Sequence, residues 1–272
     1  MNYLEIPVPE CVTARYIVPL AKPMSDNAAR KLVIKAVKSR LSDPLAALVI
    51  GLVRDGHTEI QVLNPKPGQP RPPVPKTDDP DARALLRAVA YMVISMTDRP
   101  SLGAMQELVA LATAATLAAR LDVPLLNAEA EEISDPCDAL ALLPDAVKAA
   151  ADGIRIRVNL NHWVTFDDCE HDGSYVVASD GMRRYGLPDL MMCGPQPKDL
   201  LRAVAVRLWT SLEDQAITAW QTLPDVVRIP ATMSIDGQLI GLSIHEGSRT
   251  WLRAWPLSDA EACPEAPGTG MA

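Results

Sequence analysis

Seven of the 24 prolines in this 272-residue chain lie between Asn64 and Pro80. Proline has no N–H to give a helix or a central strand and holds φ near −65°. The stretch therefore reads as an extended connector or surface loop. It also separates parts of opposite charge. Residues 1–76 carry eleven Lys/Arg and six Asp/Glu, net +5, and the remainder carries fifteen and twenty-eight, net −13. The organisation expected from this is a small basic β-α-β-β segment at 1–64, a proline-rich connector at 65–80, a larger acidic α+β domain at 81–259 and a flexible tail at 260–272.

Hydrophobic periodicity fills in the elements. Ala14 to Leu20 reads as a strand, and Ser25 or Asp26 caps a helix to about Leu41 whose apolar stripe opposes Lys31, Lys35 and Lys38. Ala46 to Val53 and Thr58 to Leu63 flank Asp55-Gly56, the signal of a hairpin. Beyond the prolines, a short helix is expected at Asp81 to Ala88, a buried strand at Tyr91 to Met96 and a long alanine-rich helix from Ser101 to Leu121, with Asp98 or Ser101 as its cap. Further strands are placed at Ile154 to Leu160, Tyr175 to Ser179 and Leu190 to Cys193, and a helix from Lys198 to Leu223. Val226 to Met233, Gln238 to Ile244 and Thr250 to Trp255 form a meander around turns at Asp236-Gly237 and Glu246-Gly247-Ser248. The fold class is α+β, with helices packed on one face of largely antiparallel sheet.

Five widely spaced cysteines, none in a CxxC pair, favour reduced thiols and a cytoplasmic setting over a disulfide framework. The longest apolar run, Pro44 to Val53, is half of the roughly 20 residues that a spanning helix needs, so no membrane segment is expected. A net charge of −8, with only Tyr3 and Tyr16 as stacking platforms in the basic part, disfavours nucleic acid as a partner. The sequence contains no GxxxxGK[ST], GxGxxG, GxSxG or HExxH. No cofactor is therefore expected, and no catalytic residue is assigned.

Two segments concentrate chemistry-bearing residues. From His162 to His171, imidazole, thiolate and carboxylate lie close in sequence, and His162, Asp168 and His171 are candidate metal ligands. The plainer alternative there is an acidic turn between two strands. In Asp180-Gly181-Met182-Arg183-Arg184-Tyr185-Gly186-Leu187-Pro188-Asp189, two glycines and a proline bracket a basic, aromatic turn. Arg183, Arg184 and Tyr185 are the candidate binding residues, because Arg and Tyr are enriched at binding hot spots.

Over about residues 85 to 223, Gly181, Met182, Tyr185, Gly186, Pro188 and Asp189, followed by the helix from Lys198, resemble an uncharacterised bacterial α+β domain family. That family has a Gly-hydrophobic-x-x-aromatic-Gly-x-Pro-acidic segment before a long helix. The resemblance implies a fold and a bacterial setting, and no catalytic residue. The expected function is a non-catalytic bacterial cytoplasmic binding or protein-interaction module with a protein partner. The alternative is a metal-dependent or small-ligand enzyme built on the His162 to His171 cluster.

Overall fold

The structure, a computed structural model, describes residues 2–66, 71–72, 80–143, 147–150, 153–156, 163–171, 174–193, 198–217, 222–246 and 250–257. It is of the α+β class, with mostly antiparallel sheets. The chain forms two compact units. The N-terminal unit comprises Cys11–Arg99 and Gly103–Asn159, and the C-terminal unit comprises Met1–Glu10, Pro100–Leu102 and Leu160–Ala272. The first strand, β1 (Tyr3–Pro7), thus belongs to the C-terminal unit.

In the N-terminal unit, β2 (Val12–Leu20), β3 (Thr58–Leu63), β4 (Ala90–Asp98), β5 (Leu125–Asn127) and β6 (Glu132–Ser134) make one antiparallel sheet in the order β3-β4-β2-β5-β6. This revises the expected division of the chain. β4 pairs residue by residue with β2 on one side and β3 on the other, from Val12↔Asp98 to Leu20↔Ala90 and from Thr58↔Met96 to Leu63↔Tyr91. The proline-rich stretch therefore links two neighbouring strands of one sheet. It does not separate a basic segment from an acidic domain.

Strand alternation sorts this sheet into two faces. Ala14, Tyr16, Val18, Met92, Ile94, Met96 and Ile60 are buried on the face that packs against α4 (Met105–Leu121), which is itself buried from Met105 to Ala118. Small alanines at 110, 112, 114, 115 and 118 let that helix lie close to its neighbours. α1 (Asp26–Arg40) packs on α4 through Ala29, Val33, Ala36 and Val37, and the Ser25 side chain accepts the N–H of Ala28 at its start. α3 (Pro80–Arg87) covers one end of the opposite face, where Leu85 and Ala88 join Ile17, Tyr91 and Leu126. Helices therefore lie on both faces. α5 (Pro136–Ala141) is capped by Asp135, and β7 (Val147–Ala150) pairs with β8 (Gly153–Ile156).

Two local expectations are corrected here. Ala46 to Val53 lies in a helix, α2 (Asp43–Arg54), and is not a hairpin strand. Leu45, Ala46, Val49, Ile50 and Val53 are buried together at helical spacing, with Pro44 in the first turn, where its missing N–H costs nothing. A strand would have split that set between two faces. α4 also starts later than expected. Ala104, in the left-handed region at φ 38, precedes it without a side-chain cap. Asp98 accepts instead from the N–H of Arg99, and Ser101 bridges to Thr222.

In the C-terminal unit, β9 (Thr165–His171), β10 (Ser174–Asp180), β11 (Asp189–Cys193), β13 (Thr232–Ile235), β14 (Gln238–Glu246) and β15 (Thr250–Pro256) form a sheet in the order β13-β14-β15-β11-β10-β9. Only β11 and β15 run parallel. Asp236 (φ 49) and Gly237 (φ 84) make the tight β13–β14 turn, as Asp-Gly predicts. Val226 to Met233 is broken at Ala231 into β13 and β12 (Val226–Pro230), and β12 pairs with β1. α6 (Lys198–Glu213) ends ten residues before the expected Leu223 and buries Leu201, Val204, Ala205, Leu208 and Leu212. Its contacts with β9, β10, β11, β12 and β13 place that stripe against this unit's strands.

Candidate functional site

The Gly181 to Asp189 turn is specified for internal reasons. Met182–Tyr185 forms a short 3-10 helix, and the carboxylate of Asp189 is fully buried. Asp189 accepts the N–H of Met182 at 2.9 Å and Nε of Arg183 at 3.0 Å. Gly181 and Gly186 both have positive φ, and a Cβ on them would lie 2.1 Å from the carbonyl oxygen of Trp163 and 2.6 Å from Cβ of Pro100. Tyr185 is fully buried, edge-on to Trp209 with ring centroids 4.6 Å apart. The expected contact patch of Arg183, Arg184 and Tyr185 thus loses its aromatic member to the core. The arginines sit nearer the surface, but Arg183 is held by Asp189 and Asp180, and Arg184 donates to the carbonyl of Trp163 at 3.3 Å.

The second segment forms a strand where the plainer reading placed an acidic turn. β9 runs from Thr165 to His171, and Ser174 is the strand partner of His171. Asp168 is partly exposed and faces Nζ of Lys198 at 3.0 Å, with Asp167 3.7 Å from the same ammonium. His162 and the side chain of His171 lie outside the described residues. Among the described residues, no group of three or more His, Cys, Asp or Glu side chains is placed to hold a metal ion.

The site that the sequence did not single out is on the open face of the N-terminal sheet. Its register sets the side chains in transverse rows. Glu59, Ser95 and Arg15 are direct cross-strand neighbours on β3, β4 and β2, and Gln61, Val93 and Ile17 form the next row towards α3. These residues, with Leu63, Ala128, Arg71 and Pro72, line a groove of about 440 Å³. One end is apolar, where Ile17 and Val93 meet the α3 cluster. The other end is charged.

The charges of the groove are held loosely. Arg15 is 3.5 Å from Glu129, with both side chains about half exposed, and Ser95 donates to Glu59 at 3.4 Å. Such exposed pairs contribute about 0–1 kcal/mol, so a ligand can exchange with them at little cost. The backbone beneath is firm by comparison, since β4 is paired along both edges.

The rim of the groove is fixed from behind the sheet. Tyr16 on β2 donates its hydroxyl to buried Glu107 in the first turn of α4, and Nδ2 of Asn127 donates to that same hydroxyl oxygen at 3.3 Å. Oδ1 of Asn127 accepts the N–H groups of Glu129 (3.0 Å) and Ala130 (3.2 Å), and the N–H of Ala128 donates to the carbonyl of Arg15 at 2.9 Å. A buried polar network thus positions the loop that carries Ala128 and Glu129. The signal available in the sequence was alternation, in Thr13-Ala14-Arg15-Tyr16 and in Thr58-Glu59-Ile60-Gln61, which marks strands with one polar face. It does not say which strands pair.

These features define an α+β protein of two compact units with a half-open antiparallel sheet and an amphipathic groove on one of them. The chain matches no protein-family model, and no curated protein or solved structure is significantly similar to it. The resemblance over residues 85 to 223 accordingly rests on its motif alone. No helix among the described residues is long and apolar enough to cross a membrane.

Proposed function

We propose that this protein is a non-catalytic binding module of the bacterial cytoplasm and that the open-face groove is its ligand-binding surface. The observation that carries the reading is the combination of a rigid, doubly paired floor with weakly engaged charges at its polar end. Binding is favoured over catalysis by the described residues that line the groove, among which there is neither histidine nor cysteine. Among those residues the hydroxyl is that of Ser95, which donates to the carboxylate of Glu59 at 3.4 Å.

The test is a library of small molecules and short peptides screened against the full chain by protein-observed NMR. Ligands that shift the amides of Arg15, Ile17, Gln61 and Val93, and that fail to do so in a folded Val93→Arg variant, support the reading. A screen whose hits all map elsewhere, or that yields none, removes it.

A further inference from the structure

We infer that the groove takes a short peptide with both termini free, about three residues long, its ammonium group at Glu59 and its carboxylate at Arg15. This rests on the reading of the groove as a binding surface and adds the class of ligand.

The argument begins with charge. The lining contains Arg15, Arg71 and Glu59, and Glu129 stands against Arg15. Among the described residues two cations and two anions balance, which suits a ligand that carries one charge of each sign. Arg71 also donates to the carbonyl of Leu86, which leaves Arg15 as the guanidinium in the same row as Glu59.

Spacing narrows the choice. Glu59 and Arg15 share one transverse row on the two strands that flank β4. Neighbouring strands are about 4.8 Å apart, so the two Cα positions stand about 9.5 Å apart. An extended chain spans at most about 3.3–3.6 Å per residue, so three residues reach about 10 Å. Ser95 draws the Glu59 carboxylate toward β4 and Glu129 draws the Arg15 guanidinium to the side of β2 away from β4, so the backbone spacing sets the scale of the row, and a tripeptide matches it better than a single amino acid. The groove's volume of about 440 Å³ falls in the usual range for small-ligand sites, about 300–1,000 Å³.

The adjacent row supplies side-chain preference. Val93 and buried Ile17 lie beside the charged row, with Gln61 at the β3 end. A peptide lying across the strands with an apolar central residue would turn that side chain onto Val93 and Ile17, and Gln61 would face its backbone. Ser95, midway along the charged row, donates to Glu59 and leaves its hydroxyl oxygen to accept a backbone N–H.

The experiment titrates the full chain with Ala-Leu-Ala in three forms, namely free, N-acetylated and C-amidated, followed by NMR. The free peptide should shift the amides of Arg15, Ile17, Gln61 and Val93, and each cap should weaken binding about fivefold, as expected of one partly exposed charge pair. In Glu59→Gln the penalty for acetylation should vanish while that for amidation persists, and Arg15→Gln should show the reverse. The capped peptides are compared on the unaltered protein, so that arm does not depend on a variant folding. Equal affinity for all three peptides, or an acetylation penalty that survives in Glu59→Gln, overturns the assignment of the termini. A groove that binds library ligands but not the free tripeptide overturns the ligand class and leaves the binding reading standing. A groove that binds nothing overturns both.

Discussion

Gln215 serves as a strand partner for Arg228. Its side-chain amide donates to the carbonyl of Arg228 at 2.7 Å and accepts the N–H of Arg228 at 2.8 Å, while β1 takes the other side of β12. One amide side chain thus occupies the N–H and C=O of Arg228, which would otherwise be open to pairing with another chain. Asp26 does the same for β3, where its carboxylate accepts the N–H of Val62 at 2.9 Å.

Gln215→Ala removes both bonds, and the expected cost is about 1–2 kcal/mol by chemical denaturation. The variant should also associate at concentrations where the parent does not, as seen by light scattering, because an edge is exposed. Unchanged stability together with unchanged light scattering would show that the amide is dispensable.

Gly181 and Gly51 should respond to alanine in opposite directions. At Gly181, φ is +113 and a Cβ would lie 2.1 Å from the carbonyl oxygen of Trp163, so Gly181→Ala should cost about 2–5 kcal/mol. Gly51 lies within α2 with nothing within 4 Å of an added Cβ, so Gly51→Ala should stabilise by about 0.5–1 kcal/mol. Thermal unfolding of the pair checks the contrast, and an equal loss in both would contradict it.

Tyr16→Phe deletes the hydroxyl that joins Glu107 to Asn127. Removing a donor from a buried carboxylate should cost about 1.5–3 kcal/mol. Because Asn127 also holds the N–H groups of Glu129 and Ala130, hydrogen exchange at those two amides should speed up beyond the global change in stability. Exchange that follows global stability alone would show that the network does not position the rim.

Local chemistry was readable wherever one residue type has one good placement. Ser25 at the start of α1, Asp236-Gly237 between β13 and β14, the buried run of β4 and the stripe of α6 all follow from propensity and period. Ala46 to Val53 reads locally as a strand but forms a helix, because strand preference is mostly a preference for packing surroundings, and here α2 gathers its apolar residues on one face. The glycines and proline from Gly181 to Asp189 mark specified backbone, and the positive φ of Gly181 and Gly186 accounts for the two glycines. The purpose of this turn could not be read, since burial of Asp189 and Tyr185 is a property of what surrounds them.

By itself, then, the amino-acid sequence determined the α+β class, most of the helices and strands, and the absence of the familiar catalytic motifs, since these depend on residues within a few positions of one another. Tertiary structure alone decided that β2, β3 and β4 are neighbours across the proline-rich stretch, and that β1 leaves its sequence neighbours to pair with β12. The groove belongs to this second kind. Arg15, Glu59 and Ser95 are scattered along the chain, and only the register of three strands brings them into one row. Register is set by the burial of the opposite face against α4, where a slip of one residue would turn Tyr16, Ile94 and Ile60 away from the core.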